Sequence, residues 1–172
     1  MISSILVATD GSHHGHLAVT QACELARRFD AHVVILHAAL RESPAEEVAR
    51  VTTLQRLLEP QPEEPLHTDE LIARLAAAGL GEADNPVSTL EAIDGRILEA
   101  AQQEAERAGL SGVAVRLTEG SPAADILAHA RFEGADLVVV GSRGLGPLRG
   151  MLLGSVSREV CQKAPCSCMV VR

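Results

Sequence analysis

Five short apolar runs, most of them rich in β-branched residues, recur along the chain with helical-period segments between them. They cover residues 2–9, 32–38, 113–118, 136–140 and 167–171. The run HVVILHA at 32–38 has no polar face to turn toward water, so it reads as a strand covered on both sides, as in a parallel sheet. Run 113–118 (VAVRLT) alternates and reads as a half-buried strand. Between the runs, residues 15–29 space Leu17, Ala18, Ala22, Leu25 and Ala26 at a helical period. Residues 90–108 line up Leu90, Ile93, Ile97, Ala101, Ala105 and Ala108 on one helix face, and Gly109 supplies a stop. Ser121-Pro122 opens a further helix, with Ser as the cap and Pro in the first turn, ending near Gly134. Residues 155–163 read as the last helix. This alternation predicts an α/β fold: a doubly wound parallel sheet with helices on both faces, built as one domain over residues 1–172. Ligands of such sheets sit beyond the carboxyl ends of the strands, where the strand order reverses. Two loops leave carboxyl ends with unusual chemistry: Asp10-Gly11-Ser12 after the first strand, and Gly141 onward after the fourth.

Charge and composition exclude several functions. The net charge of −8 argues against DNA or RNA as a partner, because neutralising phosphates requires clustered Lys and Arg. Glu59 to Asp94 holds nine acids against Arg74 alone, so the excess is local and reads as a solvated acidic surface. Lys163 is the only lysine and follows no glycine loop, which excludes a Walker-type phosphate lysine. Phe29 and Phe132 are the only aromatic residues apart from histidine, too few for a base-stacking platform. No apolar run reaches the ~18–20 residues of a membrane span. Met1-Ile2-Ser3-Ser4 lacks the basic start of a secretory leader, so the expected location is the cytoplasm, without membrane insertion.

The region 41–89 departs from the alternation and reads as a helical insertion after the second strand. Val48, Val51, Leu54 and Leu58 have helical spacing, three prolines interrupt at 59–65, residues 69–78 suit a short helix, and 79–86 reads as a loop.

The segment Val140-Gly141-Ser142-Arg143-Gly144-Leu145-Gly146 carries the chemistry. Gly141 allows a sharp exit from its strand, and Gly144 and Gly146 are free to take positive φ. Amides in such a turn form an anion nest. Gly154-Ser155 opens a helix whose first N–H groups and dipole attract anions, while Ser155 and Ser157 add hydroxyls. Arg143, Arg149 and Arg158 add positive charge. The set suits a polyphosphate without any lysine.

The pattern Gly141-x2-Gly144-x9-Gly154-Ser155 resembles the nucleotide loop of ATP-binding universal stress proteins, G-x2-G-x9-G-(S/T). The opening Ile5-Leu6-Val7-Ala8-Thr9-Asp10-Gly11-Ser12 resembles that family's first strand and turn. The ending Ala164-Pro165-Cys166-Ser167-Cys168-Met169-Val170-Val171 stands where the family has A-P-C-P-V-L-V-V. The resemblance covers residues 1–40 and about 90–172. It implies a five-stranded, Rossmann-like sheet of the adenine nucleotide alpha-hydrolase-like type, and a homodimer through the last strand, with a tetramer as the larger assembly. It implies an adenine nucleotide (ATP, or ADP or AMP) with Mg²⁺ as cofactors. By position, Ala8, Thr9 and Asp10 line base and ribose, with Asp10 also helping to hold Mg²⁺. Ala38 meets adenine through its backbone with His37 beside it. Gly141, Ser142, Arg143 and Gly144 wrap the ribose and α-phosphate, and Gly154, Ser155, Val156 and Ser157 take the outer phosphates. The extra length at 41–89 and the cysteines at 166 and 168 depart from the pattern.

Other candidates carry less. His13-His14-x-His16 lacks a partner set for a metal and reads as a polar helix start. Cys161-x4-Cys166-x-Cys168 is not a standard zinc spacing. No general base, Ser-His-Asp set or Gly-x-Ser-x-Gly elbow is present, so no catalytic residue is assigned and ATP hydrolysis is expected to be slow or absent. The function expected is nucleotide-dependent regulation in a stress response, read by a protein partner. Two alternatives stay open: an ATPase or phosphoryl or nucleotidyl transferase of the same fold, and a nucleotide-free dimerisation module regulating a transporter or kinase.

Overall fold

The structure, a computed structural model, describes residues 1–39, 86–144 and 153–172; among them the side chains of residues 86–90 are not described. In chain order the elements are β1 (Ser4–Ala8), α1 (His13–Phe29), β2 (His32–Ala39), α2 (Pro86–Arg107), β3 (Ala114–Glu119), α3 (Pro122–Phe132), β4 (Leu137–Gly141), α4 (Ser155–Lys163) and β5 (Ser167–Val171). The five strands form one parallel sheet in the order β3-β2-β1-β4-β5.

Alternation within the central strands explains the two layers. Ile5, Val7, Val33, Ile35, Leu137 and Val139 point to one face and pack with Ala18, Val19, Ala22 and Ala26 of α1 and Ala101 and Ala105 of α2. Leu6, Val34, Leu36, Val138 and Val140 point to the other and pack with Ala123, Ile126 and Ala130 of α3 and Val160 of α4. Ile5, Leu6 and Val7 have no exposed surface. Each such side chain contributes on the order of 1.5–3 kcal/mol of burial. The expected doubly wound sheet is therefore present, with α1 and α2 on one face and α3 and α4 on the other.

The boundaries differ in places from those expected. The helix expected from residue 90 starts at Pro86, which stands at the first position that proline tolerates. The rest of the loop expected at 79–86, and the insertion expected at 41–89 up to residue 85, lie outside the described residues. Ser121 stands at the α3 cap position without a side-chain capping bond. The alternation expected for 113–118 is imperfect: β3 is an edge strand, and Leu117 is 44% exposed.

The order of the strands places the site. From β1 the chain moves outward to β2 and β3, then returns to the other side of β1 with β4. The switch point is thus the gap between the carboxyl ends of β1 and β4, and the loops from both ends meet there.

Candidate functional site

Residues after β1 form a tightly bonded turn. The Thr9 amide donates to the Leu36 carbonyl at 3.0 Å, so the turn starts level with β2. Asp10 Oδ1 accepts from the Ser12 amide at 3.0 Å, an Asx turn made by the aspartate's own side chain. Ser12 caps α1 by accepting from the Gly15 amide at 3.1 Å.

A buried pair lies under this turn. His37 Nδ1 sits 2.9 Å from the Thr9 carbonyl oxygen and Nε2 sits 2.8 Å from Asp94 Oδ1. A carbonyl only accepts, so Nδ1 donates to Thr9, and a proton lies between Nε2 and Asp94. Both side chains are 0% exposed. The imidazole expected beside the adenine is thus turned into the core toward α2, because His37 shares the sheet face of Val33 and Ile35. Its contact with the site runs through the Thr9 backbone.

The loop leaving β4 is closed at its base. The Ser142 amide donates to the Val171 carbonyl at 2.6 Å. The Ser142 carbonyl accepts from the Gly154 amide at 2.8 Å and from Ser157 Oγ at 3.1 Å. Ser157 Oγ also lies 3.1 Å from the Gly154 carbonyl. Ser142 and Ser157 are only 2% and 3% exposed. Ser157, expected to offer its hydroxyl to phosphates, instead uses it to fasten the two ends of the loop. Arg143, Gly144 and Ser155 are exposed, and Gly154 and Val156 are partly so. Residues 145–152, including Gly146 and Arg149, lie outside the described residues.

Two glycines stand where a side chain would meet its neighbours, Gly141 against backbone and Gly144 against the end of the Asp10 side chain. A Cβ on Gly141 would stand 2.8 Å from the His14 carbonyl carbon, 2.9 Å from its oxygen and 3.0 Å from the Gly15 nitrogen. The end of β4 therefore rests directly on the first turn of α1. A Cβ on Gly144 would collide with Asp10 Oδ2. Neither glycine has the positive φ expected for Gly144. Asp10 thus stands between its own turn and the glycine loop, joining the two carboxyl ends. Gly154 is the cap residue of α4 and provides no side-chain bond, so the cap leaves the first amides of the helix without a side-chain acceptor.

Ala8 pairs with Leu36 and Val140 at the end of β1, and Ala38 pairs with Thr118 near the end of β2. Asp10, Gly141, Ser142, Gly144 and Gly154 are brought together; the His37 side chain and the Ser157 hydroxyl face inward. Sequence reasoning missed Asp94 and Gly15. A histidine inside an otherwise apolar strand needs a buried partner, and Asp94, one residue beyond Ile93 on the apolar face of its helix, was the signal for it. A Cβ on Gly15 would stand 2.8 Å from both Asp10 Oδ1 and Thr9 Oγ1.

A groove of about 140 Å³ lies where the β1 turn meets α1 and α2, lined by Thr9, Gly11, His16, Val19, Arg96 and Ile97 among others. It is smaller than the roughly 300 Å³ at which ligand pockets begin.

The sheet order, the switch point and the glycine loop running into a helix start define a doubly wound α/β protein of Rossmann-like type. The chain belongs to the universal stress protein family, whose model matches residues 1–172. It is 33% identical to the universal stress protein YxiE of Bacillus subtilis (strain 168) over the whole of both chains. It is also 33% identical, over the whole of both, to the universal stress protein in the QAH/OAS sulfhydrylase 3′ region of Thermus aquaticus. Among solved structures, a universal stress protein in complex with cAMP is 25% identical with a TM-score of 0.63, covering 99% of this chain and 97% of that one. No described helix is long and apolar enough to cross a membrane.

Proposed function

We propose that this protein is a regulatory adenine-nucleotide-binding protein that takes ATP at the β1–β4 switch point. One observation carries the reading: Gly144 lies against Asp10 and the Gly154 amide bonds the Ser142 carbonyl, so the start of the glycine loop, the first turn and the start of α4 meet at the switch point. Amides at a helix start attract phosphate through their free N–H groups and the helix dipole. The related protein solved with cAMP supports an adenine nucleotide as the ligand class.

In this reading Ala8, Thr9, Asp10 and the Ala38 backbone border the base and ribose. Gly141, Ser142, Arg143 and Gly144 follow the ribose and first phosphate, and Gly154, Ser155 and Val156 take the outer phosphates. Asp10 is the residue with a carboxylate suited to Mg²⁺. His37 and Ser157 act from behind, holding the Thr9 carbonyl and the loop base. With no base assigned to activate water, the protein acts by occupancy rather than turnover. Residues 1–172 work as one cytoplasmic domain, and two copies join through edge strand β5, so that a protein partner reads the liganded dimer.

The test is mass spectrometry of the nucleotide that copurifies, together with thermal melts in Mg–ATP, ADP, AMP and cAMP. At a hundredfold excess over Kd, ligand adds about 2.7 kcal/mol, or roughly 5–10 °C in Tm for a chain of this size. Gly144→Ala crowds Asp10 Oδ2 while Oδ1 keeps its bond to the Ser12 amide, so it should abolish that shift and leave the unliganded melt near the wild-type value. An unmoved melt in millimolar Mg–ATP, with no copurifying nucleotide, would refute the proposal.

A further inference from the structure

We propose that Cys161 and Cys168 form a reversible oxidation site, a thiol pair that peroxide converts into a disulfide joining α4 to β5. Their sulfur atoms lie 3.1 Å apart. A disulfide bond is about 2.05 Å long, so closing it needs a movement of about 1 Å. The fold brings the pair together. Helix α4 ends at Lys163, the chain reverses through Ala164 and Pro165, and β5 begins at Ser167. Alternation in β5 turns Cys168 and Val170 toward the α3 and α4 layer, while Met169 and Val171 face the opposite layer. Cys168 therefore faces the helix that carries Cys161.

The two sulfurs differ in a way that suits two-step chemistry. Cys161 is exposed and Cys168 only partly so. Burial and then the neighbouring Cys161 push the Cys168 thiol up to about 12, which keeps it out of direct reaction with peroxide and leaves its 3.1 Å proximity to Cys161 to drive the second step. The exposed Cys161 sulfur, as thiolate, attacks one peroxide oxygen and breaks the O–O bond: Cys161–SH and H₂O₂ give Cys161–SOH and one water. The Cys168 sulfur then bonds to the Cys161 sulfur; the hydroxyl leaves with the Cys168 proton as a second water. Two thiols are oxidised by two electrons, and one peroxide is reduced. Cys166 lies on the same sheet face but is not the partner at 3.1 Å, and Cys23 is buried on the core face of α1. In a reducing compartment such a bond is transient, which is the behaviour of a sensor rather than a scaffold. The proposal stands independently of the nucleotide reading.

The test uses the whole reduced protein, treated with hydrogen peroxide at neutral pH, weighed intact, then alkylated and digested. The intact mass before alkylation should fall by about 2 Da, the two hydrogens lost. Free thiols should fall from the four of the reduced chain to two, with a peptide pair joined at Cys161 and Cys168. Dithiothreitol should restore all of them. Cys166→Ser should keep the cross-link. Cys168→Ser should lose it and leave a sulfenic acid at Cys161 that dimedone traps. A bond mapping to Cys166, a covalent dimer in place of the internal bond, or oxygen added to wild-type Cys161 without any cross-link would each overturn the proposal, as would four thiols surviving the treatment.

Discussion

Replacing Gly141 with alanine tests the packing on which the site is built. The new methyl would stand 2.8–3.0 Å from three backbone atoms of His14 and Gly15, where ordinary contact begins at 3.4 Å. About half an ångström must open between β4 and α1. Neither side has slack. Gly141 is held in the sheet by its register with Val171, and the first turn of α1 is held by the Ser12 cap. Gly15 already stands against Asp10 and Thr9 on its other side, so α1 cannot retreat toward the β1 turn. Forced methyl groups in packed sites cost about 1–3 kcal/mol, and with backbone as the obstacle we expect the upper half of that range. For a chain of this length the melt should fall by roughly 4–12 °C. Gly154→Ala is the control: its nearest contacts are 3.6 Å away, so it should change stability by less than about 1 kcal/mol. Both variants are compared by circular dichroism melts without nucleotide. Should Gly141→Ala melt within a degree of wild type, the close seating of β4 on α1 is wrong, and with it the placing of the glycine loop against the first turn.

Three further outcomes follow from the same geometry. Asp94→Ala strips His37 Nε2 of its buried acceptor at 2.8 Å, which should cost about 1–3 kcal/mol in a denaturant titration; a value near zero would show that water or another group replaces the carboxylate without loss. Asp136 accepts from the Ser3 amide and hydroxyl and the Ser4 amide, and these bonds, the Ser3 amide first, hold its carboxyl below the usual range. A depressed native value adds stability that is complete above the ordinary carboxylate pKa of about 4 and is lost as pH falls through the native value. Asp136→Asn should therefore melt below wild type at pH 7, with the gap closing toward pH 3; a gap constant across that range would contradict the charge-assisted bonds. Burial, then the nearby Glu104 charge, push the Cys23 thiol up to about 11, so iodoacetamide at pH 8 should label exposed Cys161 in the native protein and leave Cys23 unmodified until it is unfolded.

Much of this could be read from order along the chain. Runs such as HVVILHA lack a polar face, so they could only be strands covered on both sides, and the helical stretches between them forced a parallel, doubly wound sheet. The last helix and strand fall at the expected residues, Ser155–Lys163 and Ser167–Val171, because both are short and bounded by glycine and proline signals. The glycine spacing also pointed to the loop, since close backbone approach needs residues without a Cβ wherever the chain runs.

Direction and partnership were decided only by the folded chain. Spacing showed that Gly141 and Gly144 were needed, but not that one makes room for the start of α1 and the other for Asp10. Ser157 looked like a phosphate donor until the closing of the loop turned its hydroxyl toward the Ser142 carbonyl. His37 and Asp94 are 57 residues apart, and Cys161 and Cys168 lie on different elements, so each pair exists only because the sheet order brings their elements together. Periodicity is a local property, set by how successive side chains point from a helix or strand. Contacts across elements depend on register and crossover, and these are settled by packing the whole core at once.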